Sequence, residues 1–330
     1  MASKARQLAQ SASAPEGRKN LLINGDMRVA QRSTSVTGQT AASLFGTVDR
    51  FASQISGPTS YDQAQVTDSP DGFTHSFKVT TNGAFSASAG HYVIPFDYRF
   101  EGQDLQHLVY GTSSAKTFTV SFHIKSTKTG TYVVEAFHFA TDDTVRRQAH
   151  SYTINSANTW EKKTITFSGD TAKDVANNNL HKFGLFWWVA GGSTFTSGTL
   201  ASSWENADNA NRAVGVASSL SDDDSWQITG VQMEVGSVAT EFEHRSLGQE
   251  LALCKRYYHA LSTERTLYAS DYGSHSFARL AAPTTMRAVP TVTATASSTV
   301  LGSYHTHDMV QLYLTGNAAN ANTAKLDAEL

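Results

Sequence analysis

The residues of this sequence with metal-ligating chemistry at close spacing are His305-Thr306-His307-Asp308. On a strand, His305 and His307 would project to one face, and imidazole suits iron, zinc or nickel. Two ligands do not complete a site, so the competing reading is an exposed loop or strand edge, and no cofactor is expected. Binding has better raw material in Phe183-Gly184-Leu185-Phe186-Trp187-Trp188-Val189. As a strand, this run puts Phe183, Leu185, Trp187 and Val189 on one face, which reads as core. Phe186 and Trp188 share the other face. Those two rings could form a platform on which a sugar stacks; they could equally lie under the loop-rich segment 194–225 or in a subunit interface. Trp204, inside that segment, is a third candidate contact.

Catalytic motifs do not stand out. There is no Gly-x-Ser-x-Gly elbow, no His-Glu-x-x-His pair, no phosphate-binding Gly-Lys-Thr loop and no dinucleotide fingerprint. A glycosidase needs two carboxyl groups roughly 5–9.5 Å apart, and nothing nominates a pair among 29 acidic residues. The chain therefore reads as a non-enzyme. A net charge of −3 gives no electrostatic case for nucleic acid. The single cysteine, Cys254, excludes an intrachain disulfide and a cysteine-rich zinc site. No run approaches the roughly 18 apolar residues of a membrane helix, and Met1–Arg6 has no apolar stretch behind its charges to read as a secretory signal. No membrane insertion is expected.

The elements that must position these residues are mostly strands. Charged residues are only 17%, and the polar load falls on Ser, Thr, Asn and Gln, which suit pleated surfaces and turns. In Phe118–Ile124, positions 118, 120, 122 and 124 are apolar and those between are polar, the pattern of a half-buried antiparallel strand. Similar runs are expected at 73–80, 91–96, 131–140, 150–154, 161–167, 183–190 and 226–235, with a short buried strand at Leu21-Leu22-Ile23. Residues 1–14 could form a short helix, marginal alone in water and broken by Pro15-Glu16-Gly17. Segment 1–19 is thus either a frayed tail or an attachment peptide that binds another protein. At 246–261, Leu247, Leu251, Cys254, Tyr258 and Leu261 follow a heptad-like spacing. That helix either packs on its own domain or meets copies of itself through Leu247, Leu251, Cys254 and Tyr258. The expected fold is mostly β: a jelly-roll β-sandwich over 20–245, a helical junction over 246–262, and a smaller β-domain over 263–330.

Five segments carry a resemblance. Asn20–Met27 resembles the opening strand of carbohydrate-binding-module-like jelly rolls, and Trp226–Gly236 resembles their closing strand, which lies beside the first. The junction from Ala239 through Tyr258 is similar to that of bacteriophage tail fibres and related appendages. There it leads into a short β-domain with a Pro-x-x-Met-Arg-Ala-x-Pro-Thr-Val element, present here as Pro283–Val292. The ending Asp327-Ala328-Glu329-Leu330 fits the same family. The resemblance implies a phage virion structural protein made in the host cytoplasm, a trimeric tail fibre acting in host-surface recognition, with a surface glycan as partner. Attachment to the capsid, as a fibre or decoration, is one alternative; a polysaccharide-degrading tailspike is another. In some trimeric fibres of this kind a His-x-His pair from each chain surrounds an axial metal. Related modules hold a structural calcium through an acidic pair in the closing strand, where this chain has Gly230-Val231. The nearby acidic candidates are Asp26 and Asp222-Asp223-Asp224, and the latter reads as a solvated turn.

Overall fold

Alternating apolar residues bury one side of each strand, and the chain satisfies that by closing two antiparallel sheets over a shared core. The computed structural model describes residues 18–40, 44–261, 270–272, 275–281, 284–296, 300–307, 309–315 and 321–329. Fifteen strands lie in its larger unit. In order they are β1 (Ser35–Gln39), β2 (Phe51–Ser56), β3 (Ser60–Val66), β4 (Ser76–Asn82), β5 (Phe85–Ser86), β6 (Tyr92–Glu101), β7 (Phe118–Ser126) and β8 (Gly130–Phe139). Then come β9 (Val145–Ile154), β10 (Glu161–Phe167), β11 (His181–Trp188), β12 (Ala190–Gly191), β13 (Glu205–Asn206), β14 (Ser219–Leu220) and β15 (Ser225–Val235). One sheet runs β1-β3-β4-β15-β7-β10. The other has seven strands: β6 pairs with β2, β11 and β12, and the order continues through β8 and β9 to β13. Non-consecutive neighbours and two facing sheets make this a jelly-roll sandwich.

The core between the sheets collects the predicted inward positions. Phe118, Val120, Phe122 and Ile124 meet Phe183, Leu185, Trp187 and Val189 there, all with at most 1% exposure. Phe122 packs edge-on against Trp187 at 5.7 Å, and Phe118 stacks on Phe167 at 4.8 Å. Strands β1 to β3 were not expected, because Ser, Gln and Asp dilute their apolar alternation.

The segment Leu21–Ile23 differs from expectation. It is not a strand, although Leu22 and Ile23 are buried. Asn24 and Met27 hold left-handed backbone (φ of 60° each), which breaks an extended run. The segment still lies on β15: Leu21 N donates to Met233 O, Val231 N donates to Gly25 O, and Asn20 Nδ2 donates to Val231 O. Gly25 permits that approach, since a Cβ there would stand 2.1 Å from Val231 O.

Beyond Val235 the chain crosses the sandwich and enters the helix α1 (Leu247–Cys254), opened by a capping box between Ser246 and Gln249. Only eight residues long, it packs Cys254 and the following Tyr257 against Ile23 and Val29. The C-terminal part holds β16 (Tyr258–Leu261), β17 (Ser270–Tyr272), β18 (His275–Ala281), β19 (Thr291–Ala296), β20 (Val300–His305), β21 (Met309–Thr315) and β22 (Ala321–Asp327). They form the sheets β16-β22-β19 and β17-β18-β21-β20. Charged side chains tie this part to the sandwich. Glu329 pairs with Arg50, which is 1% exposed and lies 3.5 Å over the Tyr257 ring. Arg256 grips Glu101 at 2.8 Å, and Arg287 donates to Ala328 O and Asn179 O. Among the described residues no helix is long and apolar enough to cross a membrane.

Candidate functional site

The expected platform of Phe186 and Trp188 does lie on the outer face of the seven-stranded sheet, but it is covered. Trp188 has no exposed surface and Phe186 only 8%. The segment after β12 folds back over both rings, placing Phe195, Ala201 and Ala213 in a second core with Ile94, Val133, Phe137 and Ala149. Beneath it Glu135, fully buried, accepts hydrogen bonds from Trp188 Nε1 (2.7 Å), Arg147 and Arg212. Burial alone would raise the Glu135 carboxyl, but Arg212 and Arg147 outweigh it and hold the group below the ordinary carboxylate range. Arg212 also lies 4.6 Å over the Trp188 ring. A ring without free surface cannot stack on a sugar, so the structure corrects the assignment of Trp188 and Phe186 as ligand contacts.

Trp204 is half-buried. Its indole N–H donates to Ser168 O at 2.6 Å, and its ring packs edge-on against His138 at 5.0 Å. His138 and Arg146 hydrogen-bond Asp170, and together they outweigh the effect of burial and hold that carboxyl well below its usual range. Trp204 therefore ties the covering segment to His138 of β8 and to Ser168 just after β10.

The junction residues separate. Leu247 is 52% exposed, whereas Cys254 and Tyr258 are buried inside their own chain, Tyr258 beneath the Arg32 guanidinium at 3.7 Å. A heptad seam needs all of its positions on one free face, and the helix ends at Cys254. Cys254 and Tyr258 thus pack within the chain, which corrects their assignment as contacts with other copies. The His-x-His pair is also not a strand face: β20 ends at His305, and His307 follows it, exposed, in a bend. Asp308 lies outside the described residues, as do residues 1–17. Asp222 and Asp224 cap the turn before β15 by accepting from Gly83 N and Ser221 N. Asp26 pairs with Arg28. No group of three or more metal-ligating side chains occurs among the described residues.

The open aromatic surface lies on the opposite side of the molecule, on the outer face of the six-stranded sheet. Since Phe122 and Ile124 point to the core, His123 and Lys125 of β7 point outward. Phe73 reaches over His123 (ring centroids 5.3 Å) from the loop before β4. Phe242 and His244, from the chain crossing toward α1, complete a cluster with centroids 4.9–5.4 Å apart. Trp160 extends the strip: Lys125 Nζ lies 6.0 Å from its ring, and its indole N–H and Lys125 both bond Asp68. Burial alone would raise the Asp68 carboxyl, but the bonds from Lys125 and Trp160 together outweigh it and hold the group below its ordinary value. Phe73, His123, Trp160 and Phe242 are each only partly buried, and His244 is exposed.

This strip depends on a β-bulge. Thr229 pairs with His123 and Gln232 with Ser121, so Gly230 and Val231 together oppose Phe122. Gly230 takes φ +61°, and a Cβ there would meet the Phe73 ring at 2.6 Å and His123 Nδ1 at 2.9 Å. The extra residue also resets the alternation, sending Val231 and Met233 inward and Gln232 and Glu234 outward. Sequence reasoning noted Gly230-Val231 where related modules carry an acidic pair but had no means of seeing what occupied the space.

No protein-family model matches the sequence, and no curated protein matches it. Solved structures do align with it. The enzymatically active domain of tailspike protein 4 of bacteriophage CBA120 aligns at TM-score 0.35 and 10% identity, over 66% of this chain and 22% of that one. This chain thus spans well under two thirds of the tailspike chain. The C-terminal family 22 carbohydrate-binding module of Clostridium thermocellum Xyn10B aligns at TM-score 0.35 and 8% identity, over 68% of this chain and 100% of the module. The family 11 carbohydrate-binding module of the Clostridium thermocellum cellulase Lic26A-Cel5E gives 0.32 and 12%, over 64% and 99%. The jelly-roll assignment rests on the strand pairing described above.

Proposed function

We propose that this protein is a non-catalytic phage appendage that recognises a bacterial surface glycan with the outer face of its six-stranded sheet. The observation that carries the reading is the partly exposed strip of Trp160, Phe73 and Phe242 on an otherwise polar strand surface. Sugar rings offer flat C–H faces that pack on aromatic rings, while their hydroxyls need polar neighbours such as Lys125, Asp68 and His123. The resemblance of the Ala239–Tyr258 junction and the Pro283–Val292 element to phage appendages supports a place on the virion, as a trimeric tail fibre. In that arrangement residues 1–19 bind another virion protein.

The test uses purified full-length protein and immobilised bacterial lipopolysaccharides and capsular polysaccharides. Wild type is expected to bind at least one. Trp160→Ala and Phe242→Ala should each weaken that binding about tenfold, the 1.4 kcal/mol scale of an aromatic contact, with unfolding temperature little changed. Binding to none of the polysaccharides ends the reading. Release of soluble oligosaccharide from a bound polysaccharide would make the protein an enzyme instead. Native mass spectrometry reads the trimer directly.

A further inference from the structure

Two polar groups of the outer face, beside the Gly230 bulge that Phe73 fills, lack hydrogen-bond partners. Thr229 is completely buried, and its hydroxyl has no hydrogen-bond partner. Directly across the strand pair, the buried Nδ1 of His123 also has none. Paired residues on adjacent antiparallel strands share a face, so both atoms belong to the floor of the aromatic strip. Buried polar atoms are nearly always partnered, and leaving one unmet costs free energy that selection could remove by a Thr-to-Val change.

The neighbouring polar residues on the same strand show that satisfaction is available to this surface. Gln232 donates to Glu234 Oε1 and accepts from Glu243 N. Glu234 accepts from Thr240 N and Thr240 Oγ1. The chain after β15 thus saturates the positions beyond the bulge and stops short of Thr229 and His123. Over His123 and the adjoining Gly230 lies the Phe73 phenyl ring, which has no hydrogen bond to give.

The ring is lightly held. The hydrogen bonds of Phe73's backbone, its N–H to Pro70 O and its carbonyl from Ser69 Oγ, stay within its own loop. Its side chain meets the sheet through His123, Phe242, His244 and the space left by Gly230. Gly230 leaves the floor without a Cβ at its centre, so displacement of Phe73 would uncover backbone, the Thr229 hydroxyl and His123 Nδ1 together.

We infer that Phe73 is a displaceable cover, and that Thr229 and His123 beneath it are the hydrogen-bonding floor of a subsite for one pyranose ring. The inference rests on the glycan-recognition reading above and names the residues that select within it. A sugar hydroxyl is both donor and acceptor, so it satisfies the Thr229 hydroxyl in either orientation and His123 in either tautomer. Trp160 and Phe242 remain the fixed stacking surfaces on either side. The uncovered pair would discriminate against a sugar lacking the hydroxyl, because binding such a sugar leaves both floor atoms unmet.

Three variants of the full chain test this against the polysaccharide that wild type binds. Thr229→Val keeps the shape and removes the unpartnered hydroxyl; binding should fall at least tenfold while the unfolding temperature holds or rises. Thr229→Ser should restore most of the binding. Phe73→Ala should bind faster than wild type and at least as tightly, since the displacement step is gone. Unchanged binding by Thr229→Val overturns the floor and leaves the glycan reading standing. Weaker binding by Phe73→Ala makes that ring a fixed platform and overturns the cover. Failure of wild type to bind any polysaccharide overturns both the inference and the reading beneath it.

Discussion

The two outer faces of this sandwich started from the same kind of material and were finished differently. On the seven-stranded sheet, Phe186, Trp188 and Glu135 point away from the main core, and the segment after β12 closes over them with Phe195, Ala213 and Arg212. Every acceptor on Glu135 is used, and the result is a second core. On the six-stranded sheet, Phe73, His123, Phe242 and Trp160 point outward with only a short crossing segment beside them. Two floor atoms there are left without partners, as Arg147 Nε and His181 Nε2 are on the covered face. An aromatic cluster on a sheet face is therefore not a binding site by composition. It becomes a candidate only where no other part of the chain covers its surface.

Glu135→Ala should separate the faces most sharply. It leaves Arg147 and Arg212 as largely buried cations without their carboxylate and removes the acceptor of Trp188 Nε1. Breaking a buried charge cluster costs about 3–5 kcal/mol, read as a lower midpoint in chemical denaturation. Glycan binding by the molecules that remain folded should be unchanged. A loss of binding at full stability would move the site to the covered face.

Gly230→Ala tests the open face through its backbone. The positive φ and the contact with Phe73 make the change cost about 1–3 kcal/mol. Combined with Phe73→Ala, part of that loss should return in a double-mutant cycle, because one of the two colliding groups is gone. Strict additivity would mean that Phe73 does not occupy the space above the bulge.

Acid should act on the covered face through His181, which packs against Phe137 and Phe139. Burial first, then the charges of Arg99, Arg50, Arg287 and Lys182, push its imidazole down from 6.5 to about 3. The fold thus favours the neutral ring. Its contribution is fully present above about pH 6.5 and is lost as pH falls from there toward 3. Between pH 7 and 4.5 stability should drop by about 1–2 kcal/mol on its account, allowing for partial exposure. His181→Gln should flatten that part of the pH profile; an unchanged slope would assign it to other groups.

The smallest stability effect is expected from Phe242→Ala on the open face, about 1 kcal/mol or less, because its ring keeps part of its surface in water. A cost as large as that of Glu135→Ala would show that this cluster is a structural core like its counterpart.

Local patterning was enough to read much of the sandwich. The alternation of Phe118–Ile124 names its inward residues correctly, and Glu161–Phe167 has the expected bounds, because a strand with one buried face must repeat every two residues. The two faces of Phe183–Val189 were equally legible. Strands β1 to β3 were not, since their polar residues hide the period. The fate of each face was beyond the sequence as well. Trp188 is a core residue because a segment beginning five positions later, at Ser193, folds back over it. Phe73, His123, Trp160 and Phe242 are neighbours only because β7, β10, β15 and two loops meet on one sheet. Period and composition are properties of a few consecutive residues, and they determined which side chains turn inward. Which outward side chains remain uncovered depends on contacts between residues distant along the chain, and only the tertiary structure decided that.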